Sequence, residues 1–175
     1  MNKSTIFASL LLLLGACTLS SCIDSVQVDY TDWRKRNDDY IASIDTKEYE
    51  LIVPDWAPQN SVYIKWHNDR SLTEKNLVPM SNSTINVVYQ LEDIDGKIYE
   101  NTYSKTDSVY QSKPNANIIG MWIAMTTMHV GDSATVVIPY LSGYGKSATG
   151  NLKPYSNLIF HMKIKSIEAF ERPSN

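Results

Sequence analysis

Few residues in this chain have types and spacings that could do chemistry. His67, His129 and His161 are widely separated, and none has a second ligand at metal spacing, so no metal is expected. The acid pairs Glu48/Glu50 and Asp93/Asp95 lie beside turns, where carboxylates are ordinarily just solvated. The segment "GYGKSATG" does not fit a phosphate loop, and no GxSxG elbow occurs. Both cysteines, Cys17 and Cys22, fall in the N-terminal apolar stretch. Once that stretch is removed, a Cys nucleophile, a Cys-ligated zinc and a disulfide framework are all excluded. What remains is a tyrosine, Tyr144, held between two glycines at the mouth of a loop. Its hydroxyl can donate a hydrogen bond. The expected chemistry is therefore non-covalent, without cofactor, in a shaped pocket.

The elements that must position Tyr144 can be read from periodicity. "VVIPYLSGYGKSATGNLKPYSNLIF" runs from one apolar strand, through a proline and a polar loop, into another. "SVYIKW" alternates Val62, Ile64 and Trp66 against Tyr63 and Lys65, the pattern of a half-buried strand. "STINVVYQLED" is a second strand, and Asp95-Gly96 turns it into "KIYEN" as a hairpin. "KEYELIVPDWAP" reads as a short strand and a turn, and "DSVYQSKPNAN" as irregular. In "IIGMWIAMTTM", Met121, Ala124, Met125 and Met128 form one helical stripe. The last strand places Leu158, Phe160, Met162 and Ile164 on one face and His161, Lys163 and Lys165 on the other. About six short strands and one late helix predict an α+β fold with an antiparallel sheet.

Residues 1–21 read as a secretory signal, too short for a membrane span. They end in "LSSC", a bacterial lipoprotein cleavage box that would make Cys22 the lipidated first residue. A rival box ends at Cys17, but polar residues follow Cys22 at once. Residue 23 is Ile, not the Asp associated with inner-membrane retention, so the expected address is the cell envelope, lipid-anchored at the outer membrane. Removing Lys3 leaves 15 basic residues against 19 acidic ones, a net charge of −4. Nucleic acid is excluded as a partner, since its binding is dominated by phosphate neutralisation. Residues 22–60 are expected to be an anchor-proximal linker. Within it, residues 29–44 carry Trp33, Tyr40, Ile41 and Ile44 at helical spacing, which predicts a solvated amphipathic spacer helix. One domain then occupies residues 61–170, with a short tail at 171–175.

Over residues 61–168, the order of features resembles an FKBP-type peptidyl-prolyl cis-trans isomerase. The elements are "VVYQLEDIDGKIYEN", "IIGMWIAMTTMHVGDSATVVIP", "GYG" and "KPYSNLIF". The resemblance implies an antiparallel sheet wrapped round one short helix, with an apolar pocket between them. It implies that Xaa-Pro segments of unfolded or exported proteins are the substrates. Carried over position by position, Tyr89 matches the pocket tyrosine and Tyr99 replaces a pocket phenylalanine. The Ile118 backbone N–H and the Tyr144 hydroxyl match donors to substrate carbonyls, and Leu152 and Phe160 complete the wall. Two positions depart from the pattern. Glu100 stands where the family usually has Asp. Counted back from Met128 and Gly131, Met121 holds the floor position of the usual indole, but the gapless count from Tyr89 allows a shifted helix start that puts Trp122 there, so both are candidate substrate-binding residues. These departures also leave open a peptide-holding module with little turnover.

Overall fold

A computed structural model of the chain describes residues 28–103 and 109–170. Residues 1–21, expected to be a signal, Cys22 and the tail at 171–175 lie outside the described residues. The order is α1 (Thr31–Ala42), β1 (Glu50–Ile52), β2 (Val62–Trp66), β3 (Thr84–Glu92), β4 (Ile98–Asn101), β5 (Tyr110–Ser112), α2 (Ile119–Thr127), β6 (Ser133–Ile138) and β7 (Leu158–Ala169). All pairings are antiparallel, in the spatial order β1-β2-β6-β7-β3-β4. The α+β architecture expected from the sequence is present, with the two helices where periodicity places them.

One strand was not legible. β5 falls in the segment read as irregular, and it pairs Tyr110 with Val87. The free edge of β3 is thus divided. β5 takes its first half and β4 its second. Between them the backbone of Tyr89 is tied to Thr102 by N–H donation to Thr102 Oγ1 and by acceptance from Thr102 N–H. Three residues are too few for period-2 alternation to stand out from a polar loop.

The sheet curls round α2. From β3 the inward set is Ile85, Val87, Tyr89 and Leu91, and from β7 it is Leu158, Phe160, Met162 and Ile164. These two sets share a core with Met121, Ile123, Met125 and Met128 of the α2 region. The helix sits very close to β6. A Cβ built on Gly120 would lie 2.2 Å from Ile138 Cγ2, so the contact requires glycine.

Helix α1 is not the solvated spacer its charges suggest. Its outward face carries the i,i+4 pairs Arg34–Asp38 at 3.6 Å and Lys35–Asp39 at 2.5 Å. Trp33 and Asn37, also four apart, are buried against the connection between β6 and β7. The apolar stripe Tyr40, Ile41 and Ile44 is only half-buried. The docking contact is mostly polar: buried Asn37 satisfies backbone groups that would otherwise lack partners. Hydrophobic periodicity does not register such a contact.

A second polar knot fixes the turn that precedes β6. Asp132 is fully buried and accepts hydrogen bonds from Asn68 Nδ2, Thr73 Oγ1 and the His129 N–H. Arg70 lies 3.5 Å from its carboxylate and stacks over Trp66 at 3.8 Å. Burial alone would raise the Asp132 pKa, but these hydrogen bonds and the guanidinium outweigh it and hold the carboxyl below the ordinary aspartate value.

Candidate functional site

The β3–β7 pair and the start of α2 enclose a cavity of roughly 350 Å³. Aromatic rings form its wall. Tyr89 meets Phe160 at 5.4 Å and Tyr110 at 5.6 Å between centroids, both edge to face. Met121, on the first turn of α2, supplies the floor, with Leu91 beside it. Ile118 stands at the helix entrance and Tyr144 at the rim.

The polar groups of this site divide into those already engaged and those free. The Tyr89 hydroxyl donates to Glu100 Oε2 at 2.5 Å. Burial and then this carboxylate push the Tyr89 phenol well above the ordinary tyrosine pKa. Glu's extra methylene lets an exposed residue on β4 reach a tyrosine on β3. By contrast, among the described residues the Tyr144 hydroxyl and the Ile118 N–H have no acceptor. Burial, and next the negative charge of Glu100, raise the Tyr144 pKa, which keeps that hydroxyl a donor.

Local sequence explains how Tyr144 is aimed. Gly145 has φ +64°, a left-handed conformation that favours glycine. Gly143 has no such φ. Space there is tight, since a Cβ would lie 3.3 Å from Leu158 Cδ1 and that side chain would have to give by a few tenths of an ångström. The N–H groups of both glycines donate to the Tyr140 carbonyl, at 3.0 and 2.8 Å, so the Tyr144 turn is clasped from both sides.

The site residues named from the sequence separate into three groups. Tyr89, Glu100, Ile118, Met121, Tyr144 and Phe160 line the one cavity. Tyr99 and Leu152 line an adjoining hollow of about 240 Å³, which shares Leu91, Glu100 and Tyr144 with the first. The Tyr99 hydroxyl donates to Asp93 Oδ2 at 2.9 Å, and burial together with that bond pushes its pKa up to about 12. Trp122 lies elsewhere: its ring stacks on Trp56 at 4.4 Å and its Nε1–H donates to Ser81 Oγ. One residue along a helix rotates a side chain by roughly 100°, so Met121 and Trp122 cannot both face the cavity. Sequence reading missed Tyr110, Leu91, Ala116 and Asn117 as lining residues. Leu91 was recoverable, because it shares the inward face of β3 with Tyr89. Among the described residues no group of three or more His, Cys, Asp or Glu could hold a metal ion.

An antiparallel sheet wrapped round a short helix, with an aromatic cavity between them, defines the class. A family model of FKBP-type peptidyl-prolyl cis-trans isomerases matches residues 76–165, and the chain belongs to that family. Among solved structures, FkpA from Escherichia coli is similar with a TM-score of 0.64 and 21% identity, covering 78% of this chain. This chain spans only 59% of the FkpA chain. A peptidyl-prolyl cis-trans isomerase from Pseudomonas syringae pv. tomato DC3000 is similar with a TM-score of 0.62 and 20% identity, covering 80% of this chain and 96% of that one. No curated protein sequence matches the chain.

Proposed function

We propose that the protein is a peptidyl-prolyl cis-trans isomerase that acts on exported proteins and is held at the cell envelope by a lipid on Cys22. The observation that carries the catalytic reading is the pair of free donors, Tyr144 hydroxyl and Ile118 N–H, on one aromatic cavity. Rotation about an Xaa-Pro bond costs ~18–20 kcal/mol because amide resonance is lost. The twisted amide is less polar than the planar one. An apolar wall of Tyr89, Met121 and Phe160 therefore disfavours the planar state, while the two donors hold flanking carbonyls in place. Only contacts stronger to the twisted form accelerate the step. A ten-thousandfold acceleration takes about 5.4 kcal/mol, within reach of such a cavity without covalent chemistry.

A second reading has its own support. Met121 is a soft floor, less able than an indole to fix a proline ring. A peptide-holding module with slow turnover fits that feature. Proline-limited refolding of a client, catalysed by the soluble chain from residue 23, separates the two. Acceleration of the slow refolding phase supports the isomerase. Binding of proline peptides with no acceleration leaves the holding module.

A further inference from the structure

The connection from β6 to β7, residues 139–157, carries both Tyr144 and Leu152, and its base is closed by a single side chain. Asn157 Oδ1 accepts from the Tyr140 N–H at 2.9 Å. The Tyr140 carbonyl in turn accepts from Gly143 and Gly145, the two residues that flank Tyr144. Asn157 is fully buried and does not hold this position alone. Its N–H donates to Asn37 Oδ1 at 2.7 Å, and its Nδ2 donates to the Asn37 carbonyl at 2.6 Å. Asn37 is equally buried, and its own Nδ2 donates to the Trp33 carbonyl at 2.8 Å. One turn back, Trp33 Nε1–H donates to Ser156 Oγ. Every polar atom of the Asn37 side chain is thus committed. One end holds its own helix and the other holds the base of the Tyr144 loop.

We propose, building on the reading of the cavity as the isomerisation site, that Asn37 of α1 is a positioning residue for Tyr144. It acts through Asn157 and Tyr140, from outside the segment that the family model matches. A helix that only anchored or spaced the domain would not need a fully buried amide satisfied by the catalytic loop. Other ties hold the loop at other points, among them Asn60 Nδ2 to the Leu141 carbonyl at 3.4 Å and the edge-to-face pair of Tyr140 and Tyr155, but none of them joins α1 to the Tyr140 amide through Asn157. Ser142 Oγ accepts from the Ser61 N–H at 3.1 Å, and the Tyr155 N–H reaches the Gly145 carbonyl.

The test uses the soluble chain with Asn37→Ala, and with Arg36→Ala as the control. Arg36 lies on the same helix, pairs with Asp95 in the β3–β4 turn and sits over the Trp33 ring at 5.4 Å, so removing it leaves the Asn37–Asn157 hydrogen bonds in place. Amide hydrogen exchange of Tyr140, Gly143 and Gly145 should quicken at least tenfold in Asn37→Ala, while β3 and β7 amides stay protected. It should not quicken in Arg36→Ala. Isomerisation kcat/KM should fall about tenfold in Asn37→Ala alone, the change expected from one lost buried hydrogen bond. Asn37→Asp keeps an oxygen for the Asn157 N–H but sets its second oxygen against the Trp33 carbonyl, so it should restore loop protection only at a pH low enough to protonate that buried carboxyl, whose hydroxyl then donates to the carbonyl. If Asn37→Ala does not fold, Asn37→Ser takes its place under the same criteria. A folded variant whose loop amides exchange as slowly as the parent's would overturn the proposal. If the parent has no isomerase activity, the catalytic reading fails, and the exchange measurement still decides the role of Asn37.

Discussion

At the scale of single residues, the site depends on which hydroxyls are spent and which are free. Tyr89 is spent on Glu100, whereas Tyr144 has no acceptor among the described residues. Tyr144→Phe removes one donor and almost no volume. It should lower kcat/KM by roughly tenfold, the worth of about 1 kcal/mol or slightly more, with the melting temperature unchanged. A drop in stability with activity intact would mean that the hydroxyl serves the fold instead. Because the Tyr144 pKa is raised above 10.0, its phenol stays protonated as pH climbs. The rate should therefore be flat to about pH 10 and fall only above it, where an ordinary tyrosine would already have begun to ionise. Glu100→Ala should leave the Tyr89 hydroxyl without its carboxylate. It should raise KM for peptide more than it lowers kcat, since Tyr89 belongs to the wall and not to the carbonyl donors. Residue identities of this kind were legible in the sequence wherever the element was. Phe160 and Met121 lie on stripes readable from periodicity, while Tyr89 and the pocket roles of all three came with the family resemblance. Tyr110 was not legible, because its strand is three residues long and becomes a strand only by pairing with β3.

At the scale of elements, two contacts set how α2 and the sheet fit together. Gly120 lets α2 lie against Ile138, and Gly120→Ala would force a methyl to within 2.2 Å of that side chain. Overpacking of this order should cost about 1–3 kcal/mol, read as a lower denaturant midpoint at constant slope. The Asp132 knot ties residues 68–73 to the turn before β6. Its hydrogen bonds and Arg70 hold the folded pKa of Asp132 below the ordinary aspartate value. The stability it contributes is therefore fully present above the unfolded pKa and is lost as pH falls through the lower, folded one. Asp132→Asn should flatten the acid side of the stability curve below about pH 4, and should cost several kcal/mol at neutral pH because Arg70 is left facing no charge. At the alkaline end the sign reverses. The raised phenol of Tyr99 contributes stability that is present below pH 10 and lost as pH rises through about 12. The fold's long strands were readable because each buries one face, but these polar ties were not. Nothing in the sequence joins Asp132 to Asn68, since only the folded chain brings residues 64 positions apart within 3.1 Å.

At the scale of the whole molecule, the folded body begins earlier than residue 61. β1 extends the sheet at its outer edge and α1 docks on the β6–β7 connection. A soluble chain from residue 46 should be less stable than one from residue 28 by about 3 kcal/mol or more, the scale of losing a buried tryptophan contact. Thermal unfolding of the two lengths checks this. If the lipid is on Cys22, Cys22→Ala should leave an unprocessed or soluble protein without lipid, and lipidation that persists until Cys17 is also changed would reassign it. With the lipid on Cys22, the docking of α1 has a consequence for reach. An undocked helix would lengthen the tether and let the domain range outward. Docked, it keeps Thr31 within nine residues of Cys22, a distance of at most about 30 Å even at full extension. The domain would then patrol a thin layer against the bilayer, meeting chains as they emerge or insert there and leaving those that have diffused deeper to other proteins.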